Sequence, residues 1–233
     1  MKTIGLIGGM SWESSLEYYR ILSEEIKARL GGLHSASCIM LSVDFAEIEV
    51  LQREGKWEES GRVLADAAQR LEAAGADLII LCTNTMHKVA DAIEAQIHSP
   101  FLHIADAAAH AIQAAGLHTV GLLGTRFTME EDFYRTRLVE QHGLTVLIPD
   151  DAGREIVHQV IYNELVLGKI NPESKQHYLD IIAQLVAEGA EGIILGCTEI
   201  GLLIHPEDTS VPLFDTTRIH AIAAVEAALI DTH

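Results

Sequence analysis

The sequence predicts an α/β protein in which parallel strands alternate with helices and one unit of this kind occurs twice. Short, continuously apolar runs, which are typical of buried parallel strands, alternate with longer segments whose apolar residues recur at helical spacing. Hydrophobic residues make up 48% of the 233 residues and aromatic residues only 5%, a composition that suits helices packed on buried strands. In addition, two blocks of the first half of the chain recur in the second half.

Eight strands are predicted, with helices between them, and this alternation indicates parallel sheets. The strand segments are Thr3–Ile7, Ser37–Val43, Leu78–Thr83, Phe101–Ile104, Val120–Leu123, Thr145–Ile148, Gly192–Cys197 and Pro212–Phe214. The helical segments are Trp12–Leu30, Trp57–Ala74, Met86–Gln96, Ala105–Ala115, Met129–His142, Arg154–Leu167, Glu173–Glu188 and Thr217–Ile230. Gly31 and Gly32 end the first helix, and its predicted core face consists of Leu16, Tyr19, Leu22, Ile26 and Leu30.

The internal repeat consists of two matched blocks. Lys2–Gly8 resembles His118–Gly124, and Gly75–Thr83 resembles Gly189–Cys197 without a gap. We therefore predict two similar lobes, residues 1–97 together with 209–233, and residues 98–208. A duplication without functional meaning is the simpler interpretation of this repeat.

The functional interpretation of the repeat rests on where α/β proteins bind ligands. They bind them at the carboxyl ends of their parallel strands. Two lobes that face each other would then form one cleft lined by equivalent residues. These equivalent residues are Thr83 with Cys197, and Gly9 with Thr125.

The net charge of −18 excludes several classes of partner. Nucleic acids and anionic membrane surfaces would be repelled, and no apolar run approaches the length needed to span a bilayer. The negative field of the protein would not attract an anionic substrate, so a carboxylate ligand needs hydrogen-bond donors within the site. The three cysteines include no close pair, so a disulfide framework is not expected. The amino-terminal apolar run is too short for a signal peptide. Together, these features predict reduced thiols and a cytoplasmic location.

Polar residues follow two of the predicted strands. Asn84 and Thr85 come after the third strand and Thr198 after the seventh, where they are expected to cap the next helix or to bind a carboxylate. The same position is expected to lower the pKa of Cys197 and to make it reactive, although a lone cysteine at a strand end is more often inert. Cys82 points to the opposite face from Thr83 because side chains alternate along a strand. Cys82 and Cys38 are therefore interpreted as packing residues.

A Gly-rich turn, Gly8–Ser11, follows the first strand. It lacks the spacing of dinucleotide and P-loop motifs, but its glycines allow close approach of a small ligand. Ser11 is expected to cap the next helix. Its counterpart in the second half, Gly124–Thr128, offers the hydroxyls of Thr125 and Thr128 as donors.

No metal or cofactor is expected. The twelve histidines lack metal-ligand spacing, and no lysine stands at a strand end where pyridoxal phosphate would need one. His87, in the first turn of its helix, is the one histidine considered for a functional role.

Together, these motifs resemble the aspartate/glutamate racemase family over essentially the whole chain. The resemblance rests on Ile4–Ser11, Thr83–His87, Gly121–Thr125 and Gly196–Glu199. It implies cofactor-independent inversion at Cα of an amino acid by two acid/base residues, in the cleft between two Rossmann-like lobes related by a pseudo-twofold axis, often in a homodimer. In this chain the acid/base pair would be Thr83 and Cys197. The implied substrate contacts are Met10, Gln52, Asn84, Thr85, Thr125 and Thr198.

The chain departs from the usual family pattern in two places. Thr83 stands where the family usually has cysteine, and a hydroxyl is a weaker base than a thiol. The enantiomer whose Cα–H faces Cys197 should therefore react faster, and a similar Thr/Cys subgroup suggests that this is the L enantiomer. Val166 stands where a basic residue can hold the substrate side chain, which suggests wider specificity. Gln52 or Arg53, placed in the turn after the second strand, is the expected replacement.

Two alternatives remain open in the sequence. Sister enzymes of the family isomerise maleate, or decarboxylate arylmalonates with a single cysteine, as Cys197 would be here. The second alternative is an amino-acid-binding protein, which lost catalysis when threonine replaced cysteine at position 83.

Overall fold

The computed structural model describes residues 1–230, which divide into two units. The first unit contains Met1–Ile104 and the chain from Thr217 onward, and the second contains Ala105–Thr216. Residues 231–233 of the predicted range 209–233 lie outside the described residues. No helix within residues 1–230 is both long and apolar enough to cross a membrane.

The first unit contains one four-stranded parallel sheet among its described residues, in the order β2-β1-β3-β4. Its elements are β1 Ile4–Gly8, α1 Trp12–Leu30, β2 Cys38–Ser42, α2 Phe45–Arg53, α3 Trp57–Ala73, β3 Leu78–Leu81, a 3₁₀ helix Thr85–Val89, α4 Ala90–Glu94 and β4 Phe101–Leu102. The carboxyl-terminal helix α10, Thr216–Leu229, contributes Ala221, Ala224 and Val225 to the core of this unit.

The second unit also contains a four-stranded parallel sheet, in the order β6-β5-β7-β8. Its elements are α5 Ile104–Ala114, β5 Thr119–Gly124, α6 Arg126–Glu130, α7 Asp132–Thr136, a π helix Arg137–Gln141, β6 Thr145–Leu147, α8 Asp151–Asn163, a 3₁₀ helix Leu165–Leu167, α9 Pro172–Ala187, β7 Gly192–Gly196, 3₁₀ helices Thr198–Leu202 and Pro206–Asp208, and β8 Leu213–Asp215.

Strand register repeats between the two units as well as strand order. Ile4 of β1 pairs with Leu78 of β3, and the equivalent Val120 of β5 pairs with Gly192 of β7. A carboxylate before the third strand of each unit accepts hydrogen bonds from the backbone that starts the first strand. In the second unit this carboxylate is Glu191, which accepts from Thr119 N at 2.8 Å. The internal repeat therefore corresponds to two copies of one folded arrangement.

Equivalent glycines on the first strand of each sheet lie where a side chain would not fit. A Cβ added to Gly5 would lie 2.8 Å from the Cβ of Ala76, and one added to Gly121 would lie 2.7 Å from Cδ1 of Ile193. Contacts this short essentially never occur between real side chains, so glycine is required for the packing of β1 against the turn before β3 and of β5 against β7.

The unit boundaries lie further along the chain than the expected 97/98 and 208/209. Residues 98–104 join the first unit because Phe101 of β4 pairs with Ile79 of β3. Residues 209–216 join the second unit because Leu213 of β8 pairs with Ile193 of β7.

All eight predicted strands are present, but the predicted core face of α1 needs correction. The helix has the expected ends, and Ser11 caps it by accepting from Ser14 N at 3.2 Å. However, Leu16, Tyr19 and Leu30 are 57%, 49% and 42% exposed, whereas the buried set is Ser14, Ser15, Tyr18, Ile21, Leu22 and Ile26. Two serines occupy the start of the buried face. Because the prediction counted apolar residues only, it placed the buried face at the wrong angle around the helix axis.

Other predicted segments also differ from the structure. The predicted helix Arg154–Leu167 is α8, which begins at Asp151 and ends at Asn163, followed by a 3₁₀ helix Leu165–Leu167. The segment Phe45–Arg53 is a helix, α2, whose first turn is capped by Asp44, so Gln52 and Arg53 do not lie in a turn. The predicted helix Met86–Gln96 is divided into a 3₁₀ helix and the short α4. The predicted helix Met129–His142 is interrupted at Glu131, whose extended backbone (φ −84°, ψ 151°) separates α6 from α7.

Candidate active site

Thr83 and the Gly-rich turn lie at the same edge of the first sheet. Cys82 N donates to Ile7 O at 2.9 Å, so the chain after β3 and the chain after β1 leave the sheet side by side. Gly9 has φ +97°, and a Cβ there would lie 2.2 Å from Val43 O, which restricts this turn to glycine. Met10, the next residue, is buried.

Thr83 is half-buried and is held through its backbone. Its N–H donates to Leu81 O at 2.9 Å, and its carbonyl accepts from His87 Nδ1 at 2.7 Å. Asn84 and Thr85 are both buried beside it. The predicted capping by these side chains is wrong, because Asn84 occupies the N-cap position without a capping hydrogen bond and Thr85 is already helical.

Gln52 and Arg53 lie in different surroundings on α2. Gln52 is 5% exposed, and its Nε2 lies 2.8 Å from Met86 Sδ, which places α2 against the segment that follows Thr83. The side chain of Arg53 is 63% exposed and pairs with Glu49 at 2.9 Å. Of the two expected replacements for a basic anchor, only Gln52 is buried next to the candidate residues of the first unit.

Cys197 and Thr125 lie at the same edge of the second sheet. They follow Gly196 of β7 and Gly124 of β5, which are register partners. Thr125 caps α6 by accepting from Thr128 N at 3.3 Å, and the hydroxyls of Thr125 and Thr128 lie 3.1 Å apart. Thr198 begins a 3₁₀ helix of five residues, and its predicted capping role is wrong because Cys197 holds the N-cap position there.

A buried carboxylate lies directly beside Cys197. Cys197 Sγ donates to Glu199 Oε2 at 3.0 Å, and Glu199 is only 6% exposed. Burial and the Glu199 carboxylate raise the pKa of the Cys197 thiol well above its ordinary value, and they outweigh the backbone N–H groups of Glu199 and Thr198, which act in the opposite direction. The predicted lowering of this pKa is therefore wrong. Cys197 is a thiol at rest, with a base within hydrogen-bonding distance.

Glu199 ends the sequence motif Gly196–Glu199, and no role for it was predicted. The available signal was an acidic side chain two positions after a cysteine at the end of a buried strand. An unpaired buried carboxylate is unfavourable, so an acidic residue in such a place indicates a specific partner. The structure shows that the Cys197 thiol is one such partner.

The other cysteines behave as packing residues. Cys82 is fully buried in the core of the first unit, and burial raises the pKa of its thiol far above the ordinary range. Cys38 is half-buried on β2. Across residues 1–230, no group of three or more His, Cys, Asp or Glu side chains is arranged to hold a metal ion.

Comparisons with known proteins connect this arrangement to one family. The family model described as Asp/Glu/Hydantoin racemase matches residues 7–224. The solved structure of a proposed Asp/Glu racemase from Yersinia pestis is 56% identical, with a TM-score of 0.94, over 98% of this chain and 100% of that one. An aspartate racemase homologue from Pyrococcus horikoshii OT3 is 38% identical, with a TM-score of 0.86, over 98% and 99% of the two chains.

One further relative has a name that states an activity. The broad specificity amino-acid racemase RacX of Bacillus subtilis is 25% identical over 179 residues, which cover 74% of each chain. These matches confirm the resemblance that the four sequence motifs predict and the two-lobed α/β fold that it implies.

Proposed function

We propose that this chain, which belongs to the Asp/Glu/Hydantoin racemase family, inverts the Cα centre of aspartate or glutamate, with Cys197 and Thr83 as its two acid/base residues. The observation that carries the proposal is the contact between Cys197 Sγ and the buried Glu199 carboxylate, at 3.0 Å. A thiol at the carboxyl end of a parallel strand, next to a base, is equipped to remove a proton from a bound ligand.

In the proposed mechanism Glu199 takes the thiol proton and Cys197 thiolate removes the proton from Cα. The raised pKa of this thiol makes the base necessary, because little thiolate exists at neutral pH without it. The Thr83 hydroxyl returns a proton to the opposite face of Cα and takes one from water. Glu199 releases its proton to solvent, so that every group regains its starting protonation state after one turnover.

The carbanion-like transition state needs hydrogen-bond donors aimed at the substrate carboxylate. We assign this role to Asn84, Thr85, Thr125 and Thr198, which are sequence neighbours of Thr83 or Cys197 or lie at the same sheet edge. Met10 and Gln52 complete the proposed substrate contacts, since both are buried in the first unit close to the chain that follows β1 and β3.

A preference for an acidic side chain requires a group that binds the second carboxylate of the substrate. Val166 is half-buried, and Arg53 is engaged with Glu49 at the surface, so neither offers a positive charge to a second carboxylate. We therefore propose aspartate and glutamate as the first substrates to test and other amino acids as the next. The name of the Bacillus subtilis relative, a broad specificity racemase, supports that order.

Proton NMR in D₂O, without added cofactor, tests the reaction directly. L-Aspartate, D-aspartate and L-glutamate should each lose the Cα–H signal, and chiral chromatography of the same samples should show the opposite enantiomer. Cys197→Ser should lose both changes, while Cys38→Ala, which removes a thiol outside the site, should keep them. Binding of aspartate without exchange or inversion by the folded, reduced protein would contradict the proposal and favour the amino-acid-binding protein.

The proposed preference for L substrates has its own test. Enantiomers have equal free energy in water, so kcat/KM is equal for the two directions, and the faster reaction expected for one enantiomer cannot appear in kcat/KM. Thr83→Ala should instead lose inversion by about 10²- to 10⁴-fold, while Cys197 continues to exchange the Cα–H of one enantiomer with deuterium. Exchange confined to the L enantiomer supports the preference, and exchange of the D enantiomer instead would contradict it.

Homodimerisation and a cytoplasmic location belong to the same proposal. Cys38, Cys82 and Cys197 are all unbridged, which suits a reducing compartment. Light scattering coupled to gel filtration should give twice the chain mass of 25.4 kDa. A monomer mass at micromolar concentration would remove the dimer from the proposal and leave the reaction unaffected.

A further inference from the structure

We propose that His87 is a positioning residue that holds Thr83 in place for proton transfer, acting through the Thr83 carbonyl oxygen. This proposal rests on the proposed function, in which Thr83 returns a proton to Cα. It concerns a residue that lies behind the strand end and that the proposed mechanism does not otherwise use.

The hydrogen-bond partners of His87 determine which of its nitrogens carries the proton. Nδ1 lies 2.7 Å from Thr83 O, which can only accept, and Nε2 lies 3.2 Å from Ile104 N, which can only donate. The imidazole is therefore neutral, with its proton on Nδ1. Because His87 is only 2% exposed, water does not compete freely for these two bonds.

A second buried histidine fixes the adjoining backbone. His220 Nε2 donates to Leu102 O at 2.8 Å, and its Nδ1 lies 2.8 Å from the Tyr18 hydroxyl. His220 thus holds Leu102 at the end of β4. Two residues further along the chain, Ile104 begins α5, and its N–H donates to His87. The His87 ring consequently rests on a backbone that is itself held in place.

The strand end that carries Thr83 depends on side chains for support. β3 ends at Leu81, and the Thr83 N–H bonds back to Leu81 O within the same segment. Beyond that point, the carbonyl of Cys82 accepts from Ser14 Oγ at 3.0 Å and the carbonyl of Thr83 accepts from His87. Since a shift of about 1 Å in a reacting group can cost about 10²-fold in rate, a support of this kind affects catalysis directly.

Two matched substitutions separate the two bonds of the ring. The amide of asparagine reaches the position of Nδ1 and can still donate to the Thr83 carbonyl, whereas that of glutamine reaches the position of Nε2 and can still accept from Ile104 N. We expect His87→Asn to retain most of the racemisation rate and His87→Gln to lose about 10- to 100-fold. Both variants should keep the deuterium exchange that Cys197 performs alone, because that half-reaction does not need Thr83.

Four results would overturn the proposal. If racemisation survives in His87→Gln, or if the two variants lose it equally, the hydrogen bond from Nδ1 does not position Thr83. A parallel loss of racemisation and exchange would show that His87 only stabilises the fold. Long-range ¹⁵N NMR of the wild-type imidazole supplies a readout independent of activity, since a proton on Nε2 or on both nitrogens would contradict the assignment. If the wild type neither exchanges nor inverts any amino acid, the proposed function fails, and the tautomer measurement still decides the geometry.

Discussion

Replacing Glu199 by glutamine tests the pairing of Cys197 with its carboxylate. The amide has nearly the same size as the carboxylate, but it carries no charge and cannot take the thiol proton. Two effects with opposite signs follow. The pKa of Cys197 should fall because the neighbouring negative charge is gone, although burial still keeps it raised. Racemisation should nevertheless slow down because the base is lost.

The expected size of the rate loss follows from the bond that disappears. A hydrogen bond to a charged acceptor is worth about 1.5–3 kcal/mol, or roughly 10- to 100-fold in rate at about 1.4 kcal/mol per factor of ten. A positioned general base contributes about 10²- to 10⁴-fold. We therefore expect Glu199→Gln to racemise at least about 10²-fold more slowly than its parent.

The two effects can be measured on the same protein. Alkylation by iodoacetamide as a function of pH reports the pKa of Cys197, in a Cys38→Ala background where the remaining Cys82 thiol is fully buried. Racemisation is followed by the formation of the opposite enantiomer, measured by polarimetry or chiral chromatography. Glu191→Gln is the matched control, because it also removes one carboxylate from the second unit but bonds only to the backbone of His118 and Thr119.

A faster alkylation together with unchanged racemisation would refute this reasoning. Glu199 would then hold the thiol in its protonated form without serving as its base. Slower alkylation would contradict the cause assigned to the raised pKa, because removal of the carboxylate should make the thiolate easier to form. The control variant should change neither rate.

Two further predictions concern stability. Gly5→Ala should lower the free energy of unfolding by about 1–3 kcal/mol, because the new Cβ would lie 2.8 Å from that of Ala76; an unchanged midpoint in urea denaturation would contradict the close packing. Burial raises the pKa of Asp106, but hydrogen bonds from Arg137 and His142 outweigh it and the net pKa is lowered. This carboxylate therefore stabilises the fold above the ordinary Asp pKa of about 3.9, and the contribution is lost as the pH falls through its lower folded value. Asp106→Asn should reduce stability at pH 7 and flatten the loss of stability below about pH 4; an unaltered pH profile in denaturation experiments would count against the ion pair.

Local patterns in the sequence predicted most of the architecture. Each strand is a short apolar run, and the ends of α1 follow from a serine cap at Ser11 and a glycine at Gly31. The repeat predicted two similar units, and the equal strand orders of the two sheets agree with it. Family membership followed from four short motifs, whose spacing can be compared along a single chain without knowledge of the fold.

Other features required the folded chain. The helix Phe45–Arg53 has only nine residues and mixed polarity, so no period identified it, although its packing buries Gln52 against Met86. The buried face of α1 includes two serines, whose hydroxyls are satisfied by Gly9 and by the carbonyls of Cys82 and Ser11. Apolar periodicity cannot reveal a buried polar side chain when its partner lies elsewhere in the chain.

The protonation states were likewise decided by tertiary structure. The sequence by itself determined that a cysteine follows a buried strand, but the direction of its pKa depends on burial and on where Glu199 points. His87 follows Thr83 by four residues, but its tautomer is set by two backbone groups, because the Thr83 carbonyl accepts from Nδ1 and Ile104 N donates to Nε2. Strand and helix patterns depend on neighbouring residues, and are therefore readable in sequence. Burial, charge and hydrogen-bond partners depend on residues that folding brings together, and for that reason only the tertiary structure decided them.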